Sequence, residues 1–163
     1  MRSLLFSPAG RLPRHRFWQA LVVLTVASTL VVAGQVLLTS GFGLLGYALV
    51  YPYICVYGKR LHDTGRSAWW VVGVLFATLT VQFVVTLFLE PVFRSDEIDA
   101  VRNLVSERFQ AGDLAGFMQQ GERLNALLLP LNLINTILGN LVVGFFVGRL
   151  AADPYDNNYG PKP

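Results

Sequence analysis

Four long stretches of this chain have no charged side chain in their interiors, and nothing else in the sequence constrains the fold as much. They are residues 17–38, 41–57, 68–89 and 131–150. A helix rises about 1.5 Å per residue and the hydrocarbon core of a bilayer is about 30 Å thick, so a crossing needs about 20 apolar residues. Three stretches meet that length. The second is shorter and is interrupted by Pro52. Composition agrees: 53% of the 163 residues are hydrophobic and only 14% are charged, against roughly a quarter charged in soluble domains. The expectation is an all-α integral membrane protein, residues 1–163 forming a single membrane domain with four transmembrane helices. The basic start followed by an apolar stretch resembles a secretory signal, but an h-region is about 7–15 residues long. Residues 17–38 therefore read as a retained first helix.

The connections follow. Thr39 and Ser40 leave room only for a tight turn, making the first two helices an antiparallel hairpin. Residues 58–67 read as a short polar loop, and residues 151–163 as an irregular tail rich in Pro, Gly, Asn and Asp. The long polar segment before the fourth span has a helical period, with Ile98, Val101, Leu104, Val105 and Phe109 recurring between charges. Asp96, Glu97 and Asp99 suit a first helical turn. Ala111 and Gly112 would end that helix, and Asp113 would cap a second one carrying Leu114, Phe117 and Met118. Residues 95–129 are thus expected to form outer amphipathic helices, either a structural lid or a substrate-binding element.

Charge orients the chain. The N-terminal segment, the 58–67 loop and the tail with Arg149 together hold nine bases and three acids, while the excursion holds four bases and seven acids. By the positive-inside rule both termini and the first polar loop face the cytoplasm. The pairs Phe17–Trp18 and Trp69–Trp70 stand where interfacial aromatic anchors belong.

Three segments carry recognisable wording: GRLPRHRFW at 10–18, YPYICVYGKRLHDTGRSAWW at 51–70 and NNYGPKP at 157–163. Together they resemble the bacterial inner-membrane family called domain of unknown function 805, which includes small YhaH-like proteins. That family pairs a GR-x-x-R-x-x-FW start with an RRLHDTGRSGWW-like loop and an N-x-YG-x-DP-like tail. This chain departs in Lys59 for the first Arg, Ala68 for Gly and Lys162 where an acid is common, and its excursion is longer than in compact members. The resemblance implies a multi-helix inner-membrane protein and no particular activity.

The expected topology places all three segments on one cytoplasmic face, where Arg11, Arg14, Lys59, Arg60, His62, Asp63, Arg66, Asn158 and Tyr159 are candidates to converge. Two readings stand. In one the cluster is structural: Asp63 pairs with Arg11 or Arg66, Asp63 or Ser67 caps the third helix, and the tail locks the loop. In the other several guanidiniums near a helix N-terminus bind an anionic headgroup or phosphate. The patch is small and lies at the bilayer, which argues against nucleic acid. His62 with Asp63 offers a possible acid-base pair, yet the further ligands of a metal phosphohydrolase and the second carboxylate of an aspartic protease are missing. One cysteine, Cys55, and two histidines give no metal or haem set, and no cofactor is expected. In the fourth span Asn132, Asn135, Thr136 and Asn140 share a side near Gly139, Gly144 and Gly148. This stripe reads as interhelical hydrogen bonding and close packing, or as the lining of a small polar path.

The functional expectation is a non-enzymatic inner-membrane protein working through membrane lipids or a protein partner, with homo-oligomerisation open. A small transporter or channel component is the second reading, and a membrane enzyme using His62 and Asp63 the third.

Overall fold

The computed structural model describes residues 5–161 and 163. They form six helices: α1 (Arg14–Leu37), α2 (Leu44–Asp63), α3 (Trp70–Phe93), α4 (Asp96–Gln110), α5 (Leu114–Leu127) and α6 (Leu129–Arg149). With a 3-10 turn at Ser40–Gly43 counted into the second, α1, α2, α3 and α6 give four helices long and apolar enough to cross a membrane. That suggests a membrane protein. Many of their large apolar side chains point outward and are exposed, including Val22, Leu30, Phe76, Phe83 and Phe146. In water this surface would be very costly, and a hydrocarbon surround removes the cost.

α1 and α2 run antiparallel. Leu12 donates its amide to the Lys59 carbonyl near one end, and the Phe42 ring lies against Gly34 near the other. α6 packs along both α1 and α3. The buried core occupies one half of the bundle: Phe17, Leu21 and Leu24 from α1, Val56, Tyr57 and Leu61 from α2, Val71 and Val74 from α3, and Val143 and Val147 from α6. All lie toward the end that carries the termini. The other half is more loosely filled.

Three corrections follow from the packing. The segment expected to be a loop from residue 58 is helical through Asp63. α2 ends only at Gly65, whose φ of +73° admits the left-handed turn. There Gly65 donates to the His62 carbonyl and Arg66 to that of Leu61, the paired bonds of a Schellman end. α2 also runs uninterrupted through Pro52. Phe17, expected at an interface, is instead 0% exposed and packs edge-on against Tyr57. Trp69 and Trp70 are exposed, Trp69 by 82%.

The excursion folds as its sequence pattern indicates. Ser95 accepts from the Ile98 amide to cap α4, and Asp113 accepts from the Gly116 amide to cap α5. Gly112, at φ +70°, ends α4 with the same pair of bonds that Gly65 makes. α4 and α5 pack chiefly on each other as a hairpin. Arg123 pairs with Glu97 between them, and Arg102 ties α4 to Glu90 of α3.

Candidate functional site

The cluster is centred on Asp63 in the last turn of α2. One turn earlier on the same face is Arg60, and an (i, i+3) pair on a helix surface is close enough to bond directly. Arg60 Nη1 donates to Asp63 Oδ2 at 2.5 Å, and Arg11 Nε donates to Oδ1 at 3.2 Å. All three side chains are about 1% exposed. Moving such charges out of water costs several kcal/mol each unless every polar atom finds a partner, and nearly every one does. Arg60 Nη2 donates to the carbonyls of Gly148 and Leu150 at 3.1 and 2.5 Å, closing the end of α6. A cation suits that position because the last carbonyls of a helix lack intrahelical partners. Arg11 donates to the tail carbonyls of Asp153 and Tyr155, each at 2.6 Å. Only Arg60 Nε, also buried, is without a partner.

The tail then folds over the end of α2. The Asp153 amide donates to the Asp63 carbonyl at 2.7 Å, and Asn157 Nδ2 to the His62 carbonyl at 3.1 Å. The Tyr159 ring stacks on the His62 imidazole with centroids 3.9 Å apart and planes 2° from parallel. His62 is 9% exposed, and its Nδ1 lies 3.2 Å from the Gly10 carbonyl oxygen. The Asp153 carboxyl sits below the usual carboxylate range because the Tyr155 amide and the Asn157 side chain donate to it, with Arg11 adding its charge.

Of the residues singled out from the sequence, the structure brings Arg11, Arg60, His62, Asp63 and Tyr159 together. Lys59 is buried beside them. Arg66 stands apart, its guanidinium 5.8 Å from the centre of the Trp70 ring. Asp63 pairs with Arg11 and Arg60 and does not cap α3, although Ser67 Oγ accepts from the Trp69 amide. Asn158 is exposed, and its neighbour Asn157 makes the bonds to α2. The sequence marks Gly148 only as a packing glycine and does not mark Leu150 or Asp153, although the carbonyls of all three anchor the two arginines. Backbone acceptors carry no residue-type signal, so only the fold reveals them.

Beside the buried trio is a cleft of about 350 Å³, lined by Arg11, Arg14, Arg60 and Arg149 together with Asp63 and Asp153. Arg14 and Arg149 are exposed at its rim. A wider groove of about 1220 Å³ along the same end adds His15, Arg16 and Lys59.

The α6 stripe divides among three partners. Asn132 Nδ2 donates to Asn125 Oδ1 of α5, Asn135 Nδ2 to Thr86 Oγ1 of α3, and Asn140 Nδ2 to Tyr53 Oη of α2. Asn140 borders a cavity that neither Asn132 nor Asn135 lines. A Cβ on Gly144 would strike Leu21, and one on Gly148 would lie 2.9 Å from the Trp18 ring, so both glycines let α6 approach α1. Among the described residues no group of three or more His, Cys, Asp or Glu side chains is placed to hold a metal ion.

Comparison with curated proteins and with solved structures finds no match. A family model described as protein of unknown function (DUF805) matches residues 5–161, so the three-segment resemblance extends to nearly the whole chain, and the chain belongs to that family.

Proposed function

We propose that this chain is a non-enzymatic protein of the bacterial inner membrane, with both termini in the cytoplasm, that binds anionic lipid headgroups at its terminal end. One observation carries the reading: four arginines and only two carboxylates line a single cleft at the end of the apolar helices. Two of those arginines are committed to Asp63, which leaves the rim pair, Arg14 and Arg149, to meet a phosphate. A guanidinium offers a phosphate parallel N–H donors, and each basic side chain near an acidic leaflet contributes about 1 kcal/mol. His62 supports a structural role: its ring is covered by Tyr159, and the Asp63 carboxylate turns away to the arginines.

The test uses Arg14→Gln and Arg149→Gln, which leave the buried trio intact. Anionic phospholipid retained by the detergent-purified protein, measured by native mass spectrometry, should fall about fivefold per substitution. Retention unchanged in the double variant would overturn the reading.

A further inference from the structure

Beyond the headgroup cleft, the bundle holds a second site that neither the family nor the sequence motifs assign. A cavity of about 300 Å³ lies among α1, α2, α3 and α6, at the lower bound of the range that ligand pockets occupy. It extends along α3 from Val71 to Gln82, about 16 Å of helix, and reaches Gln35 and Gly43 near the α1–α2 turn. It therefore runs from the edge of the packed core, at Tyr57, Val71 and Val74, into the half of the bundle that the core leaves open.

Its chemistry is mixed in a specific way. No Asp, Glu, Lys, Arg or His lines it; valine and leucine side chains make the largest share of the wall, with Tyr53 and Tyr57, and the polar share is Ser28, Gln35, Thr78, Gln82, Thr136 and Asn140. Set into that wall is a hydrogen-bonded chain from three helices: Asn140 donates to Tyr53 Oη at 2.8 Å, and Tyr53 Oη is 3.0 Å from Ser28 Oγ. Asn140 is 7% exposed. One end of its carboxamide is spent on Tyr53, and the other takes no hydrogen bond among the described residues. The Gln35 and Gln82 side chains, half-buried in the same wall, likewise make none among the described residues. These amides offer hydrogen-bonding positions in a wall that is otherwise largely apolar, which suits a ligand that brings a hydroxyl and little other polarity. A charged ligand would meet no counter-charge here and is disfavoured.

We infer that this cavity binds an uncharged, elongated apolar molecule with a hydroxyl head, its tail along the valine and leucine wall and its head against Asn140 and the glutamines. The inference rests on the membrane-spanning reading but not on the headgroup cleft, which shares no lining residue with the cavity.

The probe is a dodecanol carrying a photoreactive diazirine on its tail, irradiated with the full-length protein in detergent and mapped by mass spectrometry. Labelling should concentrate on peptides holding the valine and leucine wall, Leu49, Val50, Val71, Val74 and Leu75, and be displaced by unlabelled dodecanol. A Cβ on Gly46 would meet only Val31, at 3.8 Å, so Gly46→Phe should fill the cavity without striking backbone and abolish that labelling. Asn140→Leu, losing one hydrogen bond to the head, should weaken binding about two- to tenfold. Labelling that dodecanol fails to displace, or that spreads evenly over the outward helix faces, would overturn the inference whatever the variants do. So would undiminished labelling of Gly46→Phe. Anionic lipid retention should be unchanged in Gly46→Phe, which separates failure here from failure of the headgroup reading.

Discussion

Asp63 is the residue on which the terminal end depends, because its one negative charge serves two buried arginines. Replacing it with Asn preserves shape but leaves both guanidiniums without a counter-charge. Breaking a buried ion pair from one side typically costs about 3–5 kcal/mol, and Asp63→Asn should lose stability in that range by chemical unfolding in detergent. Arg60→Met should also destabilise, since it leaves Asp63 with Arg11 alone and takes the donor from the Gly148 and Leu150 carbonyls at the end of α6. The double variant should lose less than the two losses together, with a coupling of about 0.5–3 kcal/mol; strict additivity would show that the pair does not act as a unit. Part of this was legible in the sequence. The Arg11–Asp63 pairing was among the alternatives, because a lone acid among bases must meet one of them. That Arg60 takes the other oxygen was hidden by ending α2 at Tyr57, which placed residues 60 and 63 on a loop instead of one helical face.

At the scale of elements, the loss of hydrophobicity was mistaken for the end of a helix. Residues 58–63 are polar, yet the helix continues because burial on neighbouring elements satisfies its charges, and it stops only where Gly65 permits the left-handed turn. The signals that did hold are chemical: Asp113 as a cap and Gly112 as a terminator did what their side chains dictate. The contact of α6 with α1 depends on two missing side chains. Gly144→Ala would drive a methyl into Leu21, which is itself fully buried and has little space to yield. Overpacking of this kind costs about 1–3 kcal/mol, so this variant should unfold at lower denaturant. Gly121→Ala, with nothing within 4 Å of the new methyl, is the control and should not be destabilised; an equal loss in both would remove the close-packing account.

For the whole molecule, the proposed orientation makes the charge imbalance a statement about sides of a membrane. Alkaline phosphatase, which matures only outside the cytoplasm, should be active when inserted at Gly112 and inactive when fused after Pro163. The reverse pattern, or activity at both positions, would refute the topology and with it the cytoplasmic placement of the arginine cleft. Four long apolar helices and the helical hairpin between α3 and α6 were legible in the sequence, because apolar length, helical period and caps are local properties. The packing of the helices settled that Asp63 sits between Arg11 and Arg60, that Asn157 and not Asn158 ties down the tail, and that a cavity opens among α1, α2, α3 and α6. Arg11, Asn157 and the Gly148 and Leu150 carbonyls meet their partners across 52 to 95 positions of sequence, and no local pattern encodes that.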